Sequence, residues 1–117
     1  MIIGSGIDIN EVDRLRKAIK KWGDNFLTRV FTDDELAYAK NRRFPYEHLA
    51  ARFAAKEAVL KALSNQKLDF KDIKIFNNGD GKPICELQAK PKDIQITISI
   101  SHTKKYAVAN AIITKKS

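Results

Sequence analysis

At 117 residues the chain has room for one domain, since a domain of this size buries about two thirds of the surface its unfolded chain exposes. Hydrophobic residues at 44% and charged residues at 31% exclude a disordered or fibrous chain. The formal net charge of +8 asks for an anionic partner, whether nucleic acid, an anionic membrane, a phosphorylated small molecule or an acidic protein, and does not choose among them.

Met1-Ile2-Ile3-Gly4 lacks the basic segment and long apolar core of a signal peptide, and no apolar run reaches the length of a membrane span, so cytoplasmic residence is expected. Met1 to Ile9 is rich in isoleucine and alternates loosely, a strand ending near Asp8. Asn10 is expected to cap the helix that follows, in which Val12, Leu15, Ile19 and Trp22 recur at helical spacing. Between them Arg14, Arg16, Lys17, Lys20 and Lys21 form a basic face, and Gly23 stops the helix. Thr32-Asp33-Asp34-Glu35 has the form of a capping box and opens a short helix through Ala39. Pro45 suits the first turn of a helix rich in alanine and leucine that runs to Leu63.

From Phe70 the texture changes. Ile73 and Ile75, then Asn78-Gly79-Asp80-Gly81, then Ile84 and Leu87 read as strands joined by a tight turn. Cys85, the only cysteine, excludes an internal disulfide, suits a reducing compartment and reads as a half-buried strand residue. Ile94, Ile96, Ile98 and Ile100 alternate as a half-buried strand, Ser101 to Lys105 turns the chain, and Tyr106 to Ile113 returns as the last strand. The order of elements predicts one α+β domain over residues 1–117, with a long helix packed across a small antiparallel sheet.

Three places hold polar residues that local structure does not require. Asp8 lies between Ile7 and Ile9, where the plain alternative is a strand-end cap. Glu57 and Lys61 share a helix face with Ala50 and Ala54, small residues that permit close approach; the plain alternative is a surface ion pair. His102 follows the alternating strand within Ser99-Ile100-Ser101-His102-Thr103, where hydroxyls and an imidazole suit phosphate oxygens and the plain alternative is a solvated turn. A hard cation such as Mg²⁺ binds through one or two carboxylates plus substrate phosphates. Asp8 and Glu57 are the candidate carboxylates, with Lys61, His102 and Arg52 left to hold phosphates, a phosphoryl-transfer set.

Gly6-Ile7-Asp8-Ile9 with Arg14, Arg52-Phe53-Ala54-Ala55-Lys56-Glu57-Ala58 with Lys61-Ala62, Gly81-Lys82-Pro83, and Ser99-Ile100-Ser101-His102-Thr103 with Ala107-Val108-Ala109 resemble holo-acyl-carrier-protein synthase in type, order and spacing. The resemblance covers essentially the whole chain, and the block from Phe53 to Lys61 is its most specific part. It implies the 4'-phosphopantetheinyl transferase fold, a homotrimer with sites between neighbouring subunits, and a place in fatty acid biosynthesis. It implies Mg²⁺ held by Asp8 and Glu57 with the coenzyme A pyrophosphate, and Lys61 and His102 against phosphate oxygens. Arg52, Ser64, Lys82, Pro83 and Thr103 complete the implied coenzyme A contacts, and Arg14 lies in the helix that docks the carrier protein. The chain departs from the family where a glycine-containing turn usually follows the Lys-Ala pair, for Leu63 is followed by Ser64-Asn65-Gln66. Asn65 is the non-glycine residue that best tolerates a left-handed conformation, so the turn is expected to persist with altered donors.

The reaction implied is attack of a carrier-protein serine on the β-phosphate of coenzyme A, giving holo-carrier protein and 3',5'-ADP. Lys61 would stabilise the phosphate charge, and Glu57 or a water held by the metal would take the proton. The basic helix would meet an acidic carrier helix and steer the encounter. The competing reading is a small basic nucleic-acid-binding domain using Lys40-Asn41-Arg42-Arg43 with Phe44 and Tyr46, which gives Asp8 and Glu57 no role.

Overall fold

The computed structural model describes residues 1–64, 68–88 and 93–116. Strand β1 (Ile2–Glu11) is followed by helices α1 (Val12–Trp22), α2 (Asp24–Val30), α3 (Asp33–Lys40) and α4 (Pro45–Leu63). A 3₁₀ turn at Phe70–Asp72 leads into β2 (Ile73–Asn77), β3 (Pro83–Leu87), β4 (Ile94–His102) and β5 (Tyr106–Lys115). All pairings are antiparallel, but the strands form two sheets rather than one: a three-stranded sheet in the order β1-β5-β4, and a β2–β3 hairpin.

The long helix lies against the three-stranded sheet through small residues. Ala50, Ala54, Ala58 and Ala62 recur every four positions of α4 and are all buried. Four helical residues rise about 6 Å and two strand residues about 6.7 Å, so alternate residues of β1 keep step with this stripe. Gly4 meets Ala62, Gly6 meets Ala58, and Asn10 reaches the carbonyl of Ala50. A Cβ on Gly4 or Gly6 would lie 2.2 Å from the Ala62 or Ala58 carbonyl oxygen, so only glycine fits. Buried Ala107, Ala109, Ala111 and Ile113 of β5 and Ile94 and Ile98 of β4 complete the layer.

A buried ion pair joins the helices to the hairpin. Lys56 Nζ lies 2.6 Å from Glu35 Oε1, and both side chains are fully buried. The ammonium also donates to the carbonyls of Val30 at 2.7 Å and Phe70 at 3.1 Å. Glu35 Oε1 accepts from the Thr32 amide, completing the expected capping box, while Oε2 accepts from the Ile75 amide of β2 at 2.7 Å. Burial pulls the Lys56 pKa down, and the Glu35 charge offsets part of that effect.

Two local expectations change. Asn10 does not cap α1: β1 continues to Glu11, Asn10 falls on the inward phase of the strand, and the Val12 amide donates instead to the Lys105 carbonyl. Gly23, at φ 57°, ends α1 as expected but starts α2 at once, a seven-residue helix with too little periodic pattern to read in advance.

Removing one partner of the buried pair strands the other charge. Lys56→Met is expected to lower stability by about 3–5 kcal/mol, read from chemical denaturation at fixed protomer concentration.

Candidate active site

β1 and α4 bring the first cluster together. Lys61, in the last turn of α4, donates to the Ile7 carbonyl at 3.0 Å and to Asp8 Oδ1 at 3.3 Å. Its partner is therefore the carboxylate on β1 and not Glu57 on its own helix. Glu57 lines the same cleft, with its proton affinity raised by burial, then by the Asp8 charge, against a smaller opposing effect of Lys61. Asn10 donates weakly to Asp8 Oδ2 at 3.5 Å, and its Oδ1 is buried without a partner among the described residues. The cleft encloses about 370 Å³, with Arg14 at its edge and Leu15, Phe26 and Phe53 as an apolar wall.

Arg52 and His102 do not join this cluster within one chain. Arg52 is buried, donates to Asn77 Oδ1 at 3.0 Å, and stacks over the Tyr38 ring at 4.0 Å. Burial draws its pKa down, partly offset by Tyr38 and Glu35. It has no carboxylate partner among the described residues, and its Nε is unpaired. Arg42 lies over the same ring at 4.2 Å. His48 meets Tyr38 edge-on at 5.6 Å and His102 at 5.2 Å; its pKa is lowered by burial and by the charges of His102, Arg52 and Arg42. Asn77 donates to the Gly81 carbonyl at 3.0 Å, which ties the Gly81-Lys82-Pro83 turn to Arg52. The second cluster is thus cationic around Arg42 and Arg52, with Lys82, Pro83 and His102 about it and Glu47 against His102 at 3.1 Å.

Thr103 is occupied locally, its hydroxyl accepting from the Lys105 and Tyr106 amides in the β4–β5 turn. Ser64 ends α4 at φ 29°, a left-handed value, while Asn65 and Gln66 lie outside the described residues. The basic residues of α1 differ in their partners. Lys17 and Arg16 both pair with Asp13, whose pKa they lower, whereas Arg14 and Ala18 border the Asp8–Glu57 cleft, with Lys21 two turns beyond Arg14 on the same side. Tyr38, Glu47, His48 and Asn77 carried no signal in the sequence, because their partners are distant along the chain. A larger cleft of about 670 Å³, walled by Phe44, Tyr46 and Tyr106, holds none of the expected coenzyme contacts.

Residues 4–111 match the family model of the 4'-phosphopantetheinyl transferase superfamily. A holo-[acyl-carrier-protein] synthase of Thermodesulfovibrio yellowstonii is 50% identical over 115 residues, covering 97% of this chain and all of that one. The crystal structure of a holo-(acyl-carrier-protein) synthase from Bacillus anthracis, in complex with CoA (3',5'-ADP), is similar with a TM-score of 0.84 and 37% identity over 100% of this chain and 99% of that one. That of the Helicobacter pylori synthase in complex with coenzyme A has a TM-score of 0.83 and 32% identity over 94% and 99%. The chain belongs to the 4'-phosphopantetheinyl transferase superfamily and groups within it with the holo-acyl-carrier-protein synthases. It is therefore an enzyme, a phosphopantetheinyl transferase.

The glycine that admits β1 to α4 sets the first cluster. Gly6→Ala is expected to cost about 1–3 kcal/mol in denaturation. It should also slow transfer on the order of a hundredfold, by lifting Asp8 from Lys61; turnover within twofold of wild type would contradict this.

Proposed function

We propose that the protein transfers the 4'-phosphopantetheine arm of coenzyme A to a serine of an apo-acyl carrier protein in the cytoplasm, releasing 3',5'-ADP and serving fatty acid synthesis. The observation that carries this reading is the pairing of Lys61 with Asp8, whose cleft Glu57 also lines, within a chain of this superfamily.

The donor set fits Mg²⁺. Two carboxylates share the cleft and Asp8 raises the proton affinity of Glu57, an opposition that a divalent cation relieves. Mg²⁺ is commonly held by one or two carboxylates, with substrate phosphates and water as its other ligands. Asp8 and Glu57 would hold it, and when bound it supplies charge neutralisation for the coenzyme pyrophosphate. Lys61, held by the Ile7 carbonyl, stabilises charge on the phosphate as the bond to the leaving group breaks. Glu57 or a water beside it takes the proton of the attacking serine.

The second cluster binds the nucleotide end of the coenzyme. Arg52 is a buried cation without a carboxylate, and a phosphate supplies the missing counter-charge. Around α4, Glu57 and Arg52 lie about 140° apart, and Glu57 is about 15 Å along the axis from the first turn, where His48 meets His102. A coenzyme touching both clusters therefore takes them from two copies of the chain. Such a head-to-tail contact closes into a ring, in keeping with a homotrimer. The outer face of the sheet supports self-association, for Ile3, Ile7 and Ile9 are exposed on β1, with Val108 and Ile112 beside them on β5.

The carrier protein docks through Arg14, which borders the cleft, and Lys21, two turns further along the same side of α1. A nucleic-acid role would leave the Asp8–Lys61 pair and Glu57 without a task. Among the described residues no helix is long and apolar enough to cross a membrane.

Two experiments test this. Asp8→Asn and Glu57→Gln should each lower kcat on the order of a thousandfold with melting little changed, and activity within a few fold of wild type in either would sink the metal assignment. Arg14→Glu should raise KM for the carrier protein about tenfold and Lys17→Glu less than about threefold, with KM for coenzyme A unchanged in both; equal effects would contradict the distinction between Arg14 at the cleft and Lys17 held by Asp13.

A further inference from the structure

We propose that Glu47 is a positioning residue for His102, holding its Nδ1–H and thereby turning Nε2 towards the coenzyme. The proposal rests on the reading above that His102 meets a phosphate.

His102 is the last residue of β4, and its Nδ1 lies 3.1 Å from Glu47 Oε1. Glu47 sits in the first turn of α4, only 16% exposed, where a carboxylate is also favoured by the helix dipole. A carboxylate accepts and does not donate, so the hydrogen of this contact belongs to Nδ1. The other nitrogen, across the ring, is then free for a ligand, and it donates to a phosphate oxygen when the ring carries its second proton. Glu47 is the charge complement of that form.

Two further contacts fix the ring. His48 meets it edge-on at 5.2 Å, and Tyr38 backs His48 at 5.6 Å. Tyr38 in turn carries Arg42 and Arg52 on its ring, so the imidazole is anchored to the same cationic surface that awaits an anion. Without Glu47 nothing among the described residues selects which nitrogen carries the hydrogen.

His48 and His102 are the only histidines, so their side-chain ¹⁵N signals are readily told apart. In the wild-type protein His102 should show hydrogen on Nδ1. Glu47→Ala should shift it towards the Nε2–H tautomer and raise KM for coenzyme A about tenfold, leaving KM for the carrier protein unchanged. Glu47→Gln, which keeps an acceptor of the same reach, should retain the tautomer and stay within about threefold in KM. In a His102→Ala background, adding Glu47→Ala should change KM no further. An unaltered tautomer in Glu47→Ala, or an equal rise in KM in the His102→Ala background, overturns the proposal. A His102→Ala variant with wild-type KM for coenzyme A overturns the phosphate reading of His102, and the tautomer measurement tells that failure apart from the other.

Discussion

Gly4 and Gly6 let a strand lie on a helix closer than any side chain would allow. Each places backbone where a Cβ would lie 2.2 Å from a carbonyl oxygen of α4. The alanine stripe does the same from the other side, and the near match of two strand residues to four helical residues carries the contact from Ala62 to Ala50. At that separation the Lys61 ammonium reaches both the Ile7 carbonyl and the Asp8 carboxylate. A wider gap would leave Asp8 and Lys61 unpaired, each with an ordinary surface role.

The same helix serves a second purpose on another face. Lys56, fully buried, gathers the Val30 and Phe70 carbonyls and the Glu35 carboxylate, and Glu35 passes the constraint to the start of α3 and to β2. These elements carry Tyr38 and Asn77, the partners of Arg52. A buried charge pair is seldom a net source of stability, and its use here is better described as registration: it sets α3 and the hairpin against α4 so that the cationic surface forms. α4 thus presents a carboxylate cleft on one face and a cationic cluster on another.

Much of the local structure was legible because its causes are local. Pro45 and the alanine-rich run define α4, Thr32 and Glu35 form their capping box, and the alternating isoleucines of β4 mark its buried face. Asp8, Glu57 and Lys61 could be singled out by residue type, and the resemblance joined them, but spacing alone favoured a Glu57–Lys61 pair where the structure has Lys61 with Asp8. Arg52 directly precedes the most specific block of the sequence, yet its side chain turns away from Glu57, because the two residues lie on different faces of one helix. The basic helix likewise read as one surface, since Asp13 stands just before the run and its pairing with Arg16 and Lys17 emerges only from helical geometry. Asn10 looked like a cap for the same reason: the length of β1 is decided by pairing with β5 some hundred residues later.

The central claim is that this arrangement moves a phosphopantetheine arm between two anionic partners. The direct measurement is the intact mass of an apo-acyl carrier protein after incubation with the protein, coenzyme A and Mg²⁺. The account predicts that the carrier gains the mass of one phosphopantetheine arm, on its serine, and that 3',5'-ADP appears in equal amount. An unchanged carrier mass under conditions where the protein is folded, with salt-sensitive binding to an oligonucleotide in its place, would contradict it.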